Sequence, residues 1–321
     1  MKDLGFPDDQ GISTVAVSEP FPLFTPAAIK QMRAEILSEK VRQEYQFSSN
    51  LSKSQLRGYA ADCGPFTYAA WNHPETLALI SKIARIDLIP QMDYEIGHIN
   101  LSINKQDSKN SSSSTSNTVD AQNDIKPIVD WHTDAYPFVC VLMLSDCTGM
   151  IGGETALRTG HGEIMKVRGP QMGSAVVLQG RYIEHQALSA TGTTERITAV
   201  TSFRPKSPHI KDDTVLTTVR PVSDLQELYF QYNEYRLEML QERIKHELET
   251  LRSQKGKHGR FDLKATKGFL KEQADFLTIM NTQMVDEDQV TKGSVGESHL
   301  RSKDLVEESR KKREAYQADG A

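Results

Sequence analysis

Residues 130–139, DWHTDAYPFV, place His132 and Asp134 two positions apart in a segment that otherwise reads as an apolar strand. On a strand, positions i and i+2 project from one face, so this imidazole and carboxylate can approach one point together. Taken alone the pair is equally a solvated face or a surface ion pair. Its meaning depends on what the rest of the chain brings beside it.

Downstream lies a succession of short β-type segments: PFVCVLMLSD, ETALRT, IMKVRG, SAVVLQG, HQALSA and RITAVTSFRP, punctuated by GMIGG, TGHGE, GPQMG and TGTTE. Short strands with turn signals and no long helix between them predict an antiparallel sandwich or barrel. Upstream, DYEIGHINLSI alternates like another strand. TPAAIKQMRAEILSEKVRQEY predicts a helix from Pro26 capped by Thr25, and Pro74–Ala84 predicts a second. The polar stretch at 106–124 predicts a disordered surface loop. Beyond residue 220 the period becomes helical. Ser223 and Gln226 read as a capping box, with Leu225, Tyr229, Tyr232, Leu240, Ile244, Leu248 and Leu251 as an apolar stripe. Another helix is expected over about 262–282, then a loose charged tail. The expected organisation is a β-rich domain over 1–215 with buttressing N-terminal helices, and a C-terminal helical extension over 216–321.

Bulk properties narrow the function. A 321-residue chain of net charge −5 gives no electrostatic case for nucleic acid or an anionic membrane, and no apolar run reaches membrane-helix length. Three cysteines without a CxxC pair argue against a disulfide framework and a zinc site of that type. With no secretory signal visible, a cytoplasmic location is expected.

His185, in QGRYIEHQALSA, offers a third ligand to His132 and Asp134. Two histidines and one carboxylate on one face of an octahedron leave three positions open, the donor set of non-heme Fe(II) oxygenases. His161 and Glu163 form a rival pair, but in a Gly-flanked turn, where a solvated role fits better. Arg196 follows His185, with Thr198 on the same strand face; a guanidinium at the inner end of a barrel strand calls for an anion, and a dicarboxylate would satisfy it bidentately. An ordinary salt bridge is the alternative. Tyr136 and Phe138 flank the ligands as candidate substrate contacts, and Arg181 as a partner for an acidic substrate.

The order HxD, about fifty residues, His, about ten residues, RxT resembles the Fe(II)/2-oxoglutarate-dependent dioxygenase family. WHTD, GGET, EHQAL and RITAVTSF carry the resemblance over roughly residues 57–205, with a texture closest to fungal small-molecule oxygenases. The resemblance implies a mainly β fold with flanking helices, built on a double-stranded β-helix (jelly roll). It implies Fe(II) on His132, Asp134 and His185, and 2-oxoglutarate held at its far carboxylate by Arg196 and Thr198. Asn100, or else His98, is the upstream candidate for the keto-acid end. Oxygen as co-substrate then gives succinate and CO2, coupled to hydroxylation, desaturation or cyclisation of a small organic molecule, as in secondary metabolism. The presence of Asp134 disfavours halogenation. A non-catalytic cupin-like metal- or ligand-binding protein and a protein hydroxylase are the alternatives. A homodimer through residues 223–252 is the expected self-association.

Overall fold

A computed structural model describes residues 1–50, 52, 54–103, 127–256 and 259–295. The loop expected at 106–124 and the residues beyond 295 lie outside the described residues. The loose tail expected after Asp286 is instead packed as far as Val295, which is buried with its N–H on Asn50 Oδ1 at 2.8 Å, while Gly293 N–H donates to Pro221 O at 2.8 Å.

Eight strands form the barrel: β1 (His98–Ile103), β2 (Pro127–His132), β3 (Phe138–Met143), β4 (Thr155–Arg158), β5 (Ile164–Val167), β6 (Ser174–Leu178), β7 (His185–Leu188) and β8 (Glu195–Pro205). One sheet runs β6-β3-β8-β1 and the facing sheet β5-β4-β7-β2, and every pairing is antiparallel. Thus β1 pairs with β8, β2 with β7 and β3 with β6, β4 and β5 form a hairpin within the smaller sheet, and every other chain neighbour lies in the opposite sheet. That is the strand order of a jelly roll, which removes most free edges by wrapping one sheet over the other. Short strands at Phe21–Pro22, Gln46–Phe47, Gln55–Leu56 and Leu88–Pro90 extend the larger sheet.

The larger sheet is buried on both faces, and strand parity divides its side chains. Phe138, Cys140, Leu142, Ile197, Ala199 and Phe203 face outward into a core shared with Ile29, Met32, Ile36, Trp71 and Ile80 of the N-terminal helices. Val139, Val141, Thr198 and Val200 face inward and line a cavity between the sheets. One face therefore supplies packing and the other supplies the site.

Those helices are α1 (Pro26–Ile36), α2 (Glu39–Glu44), α3 (Ala60–Cys63), α4 (Pro65–Asn72) and α5 (Pro74–Ala84). Thr25 caps α1 through its Oγ1, which accepts the Ala28 N–H at 3.3 Å, as expected. The single helix expected from Pro26 onward is instead two, because Ser38 accepts the Val41 N–H and starts α2 afresh. Arg33 ties α1 to the barrel through Leu144 O at 3.1 Å and Glu195 at 2.6 Å.

The C-terminal helices are α6 (Leu225–Gly256) and α7 (Leu263–Gln283). Asp224, not Ser223, caps α6: its Oδ1 accepts the Gln226 and Glu227 N–H groups, while Ser223 Oγ donates to Val219 O. The buried stripe also differs from the expected one. Leu225, Leu228, Tyr232, Tyr235 and Met239 pack with Met92, Tyr94, Ala135 and Tyr136 beside the cavity mouth, whereas Ile244 and Leu248 are exposed. The reason is a buried polar anchor that hydropathy does not register. Arg236 and Asp212, both fully buried, pair at 3.2 Å, and the guanidinium lies 3.9 Å from the centre of the Phe276 ring.

Candidate metal centre

His185 on β7 sits directly across the ladder from His132 on β2. The two ring centres are 4.4 Å apart. Between His185 and Ala187 the partner strand advances from His132 to Val129, so β2 carries an extra residue there. This bulge reverses the parity of β2 and lets Val129 and His132 both face the cavity.

Asp134 follows β2 and is held by its N–H to Gly180 O at 2.9 Å. Its two carboxylate oxygens lie 3.5 Å from His132 Nε2 and 3.5 Å from His185 Nε2. One donor atom from each residue falls within 4.8 Å of the others, the one such cluster among the described residues. Both rings are oriented from behind: His132 Nδ1 meets Asp130 O at 2.6 Å and His185 Nδ1 meets Ile183 O at 2.9 Å. Carbonyl oxygens only accept, so each Nδ1 carries a proton and each Nε2 is the ring atom turned toward the carboxylate and left to ligate. Asp134 Oδ2 is buried without a hydrogen-bond partner. A carboxylate facing two ring nitrogens at this range calls for positive charge among them, from a proton on Nε2 or from a cation that replaces it. Burial pushes the Asp134 carboxyl up, and positive charge beside it on the His185 and His132 side outweighs that and holds the group well below the ordinary carboxylate range. A divalent cation fits this donor set.

Gly180 makes this position available. A side-chain carbon built there would lie 1.7 Å from Asp134 Oδ2, with nothing unusual in the backbone to require glycine. The need is for space alone.

The cavity has a volume of about 130 Å³ and continues from the triad along the barrel past Leu178, Val141 and Val200 to Arg196 and Thr198. Arg196 is 4% exposed. Its Nε donates to Gly153 O at 3.0 Å; no described carboxylate comes within 4.0 Å of the guanidinium, which takes part in none of the ion pairs. Gly153, at φ 74°, packs against the Arg196 side chain, so a Cβ there would crowd Cδ and Nε at 3.2 Å. Burial pushes the guanidinium down to about 10. An anion arriving at this end of the cavity would offset that.

A second polar group lies elsewhere on the cavity wall. Arg57 pairs with Glu95, which also accepts from Tyr136 OH at 2.8 Å, and Arg57 Nη1 donates to His98 Nδ1 at 3.3 Å. Burial and then the neighbouring guanidinium hold His98 well below its ordinary value, so it is neutral. With Nδ1 accepting, its proton sits on Nε2, which is buried and unpartnered, as is Gln55 Oε1. The cavity thus offers a hydrogen-bond donor and an acceptor that the described residues leave unused.

Of the other sequence candidates, Asn100 lines the cavity and accepts from Ser52 Oγ at 3.4 Å. Tyr136 also lines it, with its hydroxyl committed to Glu95. Phe138 does not: its parity sends it into the helix-facing core, fully buried. Arg181 is buried with Nε on Asp213 O at 2.9 Å and is not part of the cavity wall. His161 and Glu163 are exposed. Sequence reasoning missed Gly180, Gln55, Arg57 and Glu95, and the cavity wall made by Thr218, Val219 and Val222 just before α6. Gly180 follows a strand and precedes the RYIEH segment, a glycine signal that could have been read. The others carry no local motif.

No family model matches the chain, and no curated relative matches it. Solved structures do show similarity. A Pseudomonas putida prolyl-4-hydroxylase is 17% identical over 60% of this chain and 94% of its own, at a TM-score of 0.39. AviO1 from Streptomyces viridochromogenes is 14% identical over 59% and 91%, at 0.40. HygX from Streptomyces hygroscopicus, with nickel and 2-oxoglutarate bound, is 11% identical over 58% and 82%, at 0.38. At these identities and TM-scores the likeness carries no weight. Fold and site rest on this chain's own strand order and side chains.

Proposed function

We propose that the chain is an Fe(II)/2-oxoglutarate-dependent oxygenase acting on a small organic molecule. One observation carries the reading: two imidazole Nε2 atoms and a buried carboxylate converge at the rim of a cavity whose far end holds a buried guanidinium with no carboxylate partner among the described residues. Both features leave buried charge without a counter-charge, and a metal chelated by a dicarboxylate offsets both.

In this reading His132, Asp134 and His185 hold the iron, Arg196 and Thr198 take the distal carboxylate of 2-oxoglutarate, and Asn100 lies toward its keto-acid end. Bound together with O2, these groups supply oxidative decarboxylation to succinate and CO2, coupled to oxidation of a C–H bond. The protein's own contribution is positional. The carbonyls of Asp130 and Ile183 fix both imidazole tautomers, and Gly180 leaves room for the carboxylate. Val141, Leu178 and Val200 keep the wall between the two ends dry, which strengthens every polar contact made there. The prime substrate enters on the side of Tyr136, Gln55 and His98, whose unused donor and acceptor suit a molecule presenting both an acceptor and a donor, such as a hydroxy-carbonyl or amide group.

We place the chemistry in residues 1–215, with the extension 216–321 closing one side of the cavity through Thr218, Val219 and Val222. Among the described residues no helix is long and apolar enough to cross a membrane, and all three cysteines are free; a cytoplasmic setting is proposed on the second ground. A homodimer through residues 223–252 belongs to the proposal and requires none of this chemistry.

The test is succinate release from 2-oxoglutarate with Fe(II) and ascorbate, in wild type and His132→Ala. Iron-dependent release by wild type alone is expected. Wild type that binds Fe(II) and 2-oxoglutarate but releases no succinate, with extracts of small metabolites or of protein added as substrate, overturns the enzyme in favour of a cupin-like binding protein.

A further inference from the structure

Thirteen large apolar side chains are exposed among the described residues, and nine of them lie between Phe230 and Ile279 on or beside the α6–α7 hairpin. Their spacing is regular. Phe230, Leu237 and Ile244 recur every seven residues on α6, continued by half-buried Leu251, and Leu263, Leu270 and Leu277 recur every seven on α7. None of these takes part in the packing of α6 against the barrel, which uses the other face.

The two helices run antiparallel, as three contacts establish. Tyr229 OH donates to Val285 O at 2.9 Å, the Arg236 guanidinium sits 3.9 Å from the centre of the Phe276 ring, and Arg243 Nη1 meets Gln273 Oε1 at 3.4 Å. Carried along the pair, this register sets Leu237 level with Leu277, Ile244 with Leu270, and Leu251 with Leu263. Leu237, Ile244 and Leu277 each directly follow a residue of the helix–helix contact. They therefore leave their helices about 100° round from it. In an antiparallel pair the same rotation on both helices leads to the same side, so the two stripes form one ladder of apolar rungs on one face of the hairpin.

We infer that this face is the surface through which two copies of the chain associate, as an antiparallel four-helix bundle about a two-fold axis crossing the helices; this gives the homodimer proposed above its geometry. Two observations select a second copy as the occupant. The first is charge. On the α6 flank away from α7, Glu227 and Glu234 occupy the N-terminal half, and Lys245 and Arg252 the C-terminal half, each pair seven residues apart. An antiparallel α6 from a second copy sets Glu227 against Arg252 and Glu234 against Lys245, and symmetry repeats both pairs. The second is area. The 21 residues of α7 make the shared face about 32 Å long, and two helix widths give it about 600 Å², near the roughly 800 Å² per partner of a standard stable interface.

The experiment is sedimentation analysis of the full chain across the micromolar range, without added metal or 2-oxoglutarate, so that its outcome is separate from that of the succinate assay. Wild type is expected at twice the 36.0 kDa chain mass. Leu237→Lys with Leu277→Lys is expected to yield monomer with unchanged helix content, since both side chains are exposed in the single chain, and with a melting temperature that no longer depends on protein concentration. Glu234→Lys and Lys245→Glu singly are expected to weaken the dimer about tenfold, and together to restore it to within about threefold. Wild type that is monomeric throughout, or that dimerises as well after the double Lys substitution, overturns the surface. Single charge reversals without effect, or a double reversal that fails to rescue, overturn the antiparallel arrangement.

Discussion

Gly180→Ala should abolish tight metal binding while leaving the fold intact. The added carbon would sit 1.7 Å from Asp134 Oδ2 and 2.6 Å from its Cγ. Ordinary contact needs more than about 3 Å, so the carboxylate must retreat by about 1.5 Å. Metal ligands tolerate only about 0.2 Å of misplacement, so the ion loses one of its three protein donors. Loss of a supporting partner alone typically weakens a metal site 10- to 100-fold, and loss of the ligand belongs at the upper end of that range or beyond it. A 100-fold loss corresponds to about 2.7 kcal/mol. The backbone at 180 is not in a glycine-requiring conformation, so the metal-free stability should change by no more than about 1 kcal/mol. Thermal melting under anaerobic conditions reads both quantities. Fe(II) at a hundred times the wild-type dissociation constant stabilises wild type by about 2.7 kcal/mol, and a variant bound 100-fold more weakly by only about 0.4 kcal/mol. A variant that melts like wild type with and without Fe(II) would refute the placement of Asp134 and the role given to Gly180.

Arg196→Lys loses the bidentate fork and should raise the KM for 2-oxoglutarate about 10- to 100-fold with Fe(II) affinity unchanged; an unchanged KM in the succinate assay removes Arg196 from the co-substrate site. Glu95→Gln leaves the Arg57 guanidinium buried without its counter-charge and should cost about 3–5 kcal/mol in urea unfolding, most of it recovered by Arg57→Met with Glu95→Met. Equal stability of all three proteins contradicts the buried pair. Burial and then Arg57 depress the folded-state value of His98 below its unfolded one, so the unfolded chain binds the extra proton first. Stability tied to His98 is therefore complete above about pH 6.5 and lost as pH falls below it, by up to about 1.4 kcal/mol per pH unit relative to His98→Gln. Parallel stability curves for the two proteins through that range would show His98 to be solvated.

The jelly roll was legible because its strands are short, apolar and separated by glycine turns, a local pattern that needs no knowledge of partners. The metal ligands were legible for a similar reason: an HxD pair, a later histidine and an RxT pair are each local, although the strand ends at His132 and Asp134 is placed by Gly180 O rather than by strand parity, and antiparallel register then sets His185 against His132. What sequence could not give was parity across an irregularity. Phe138 and Tyr136 both follow Asp134 closely, which points both toward the site, yet the start of β3 turns Phe138 outward. The bulge in β2 aims His132 inward, and nothing in IVDWH announces it. Nor could hydropathy identify the buried face of α6, where fully buried Arg236 occupies the centre and Ile244 faces solvent. Gln55, Arg57 and Glu95 come from segments remote from the ligands, and only the folded barrel mouth assembles them.

Crystals grown anaerobically with Fe(II) and 2-oxoglutarate, with anomalous diffraction recorded at the iron edge, address the triad and the guanidinium together. The expected result is a single strong anomalous peak about 2.0–2.2 Å from His132 Nε2, an Asp134 oxygen and His185 Nε2, with the distal carboxylate of the keto acid on Arg196. A peak elsewhere, or density for the keto acid away from Arg196, would contradict it.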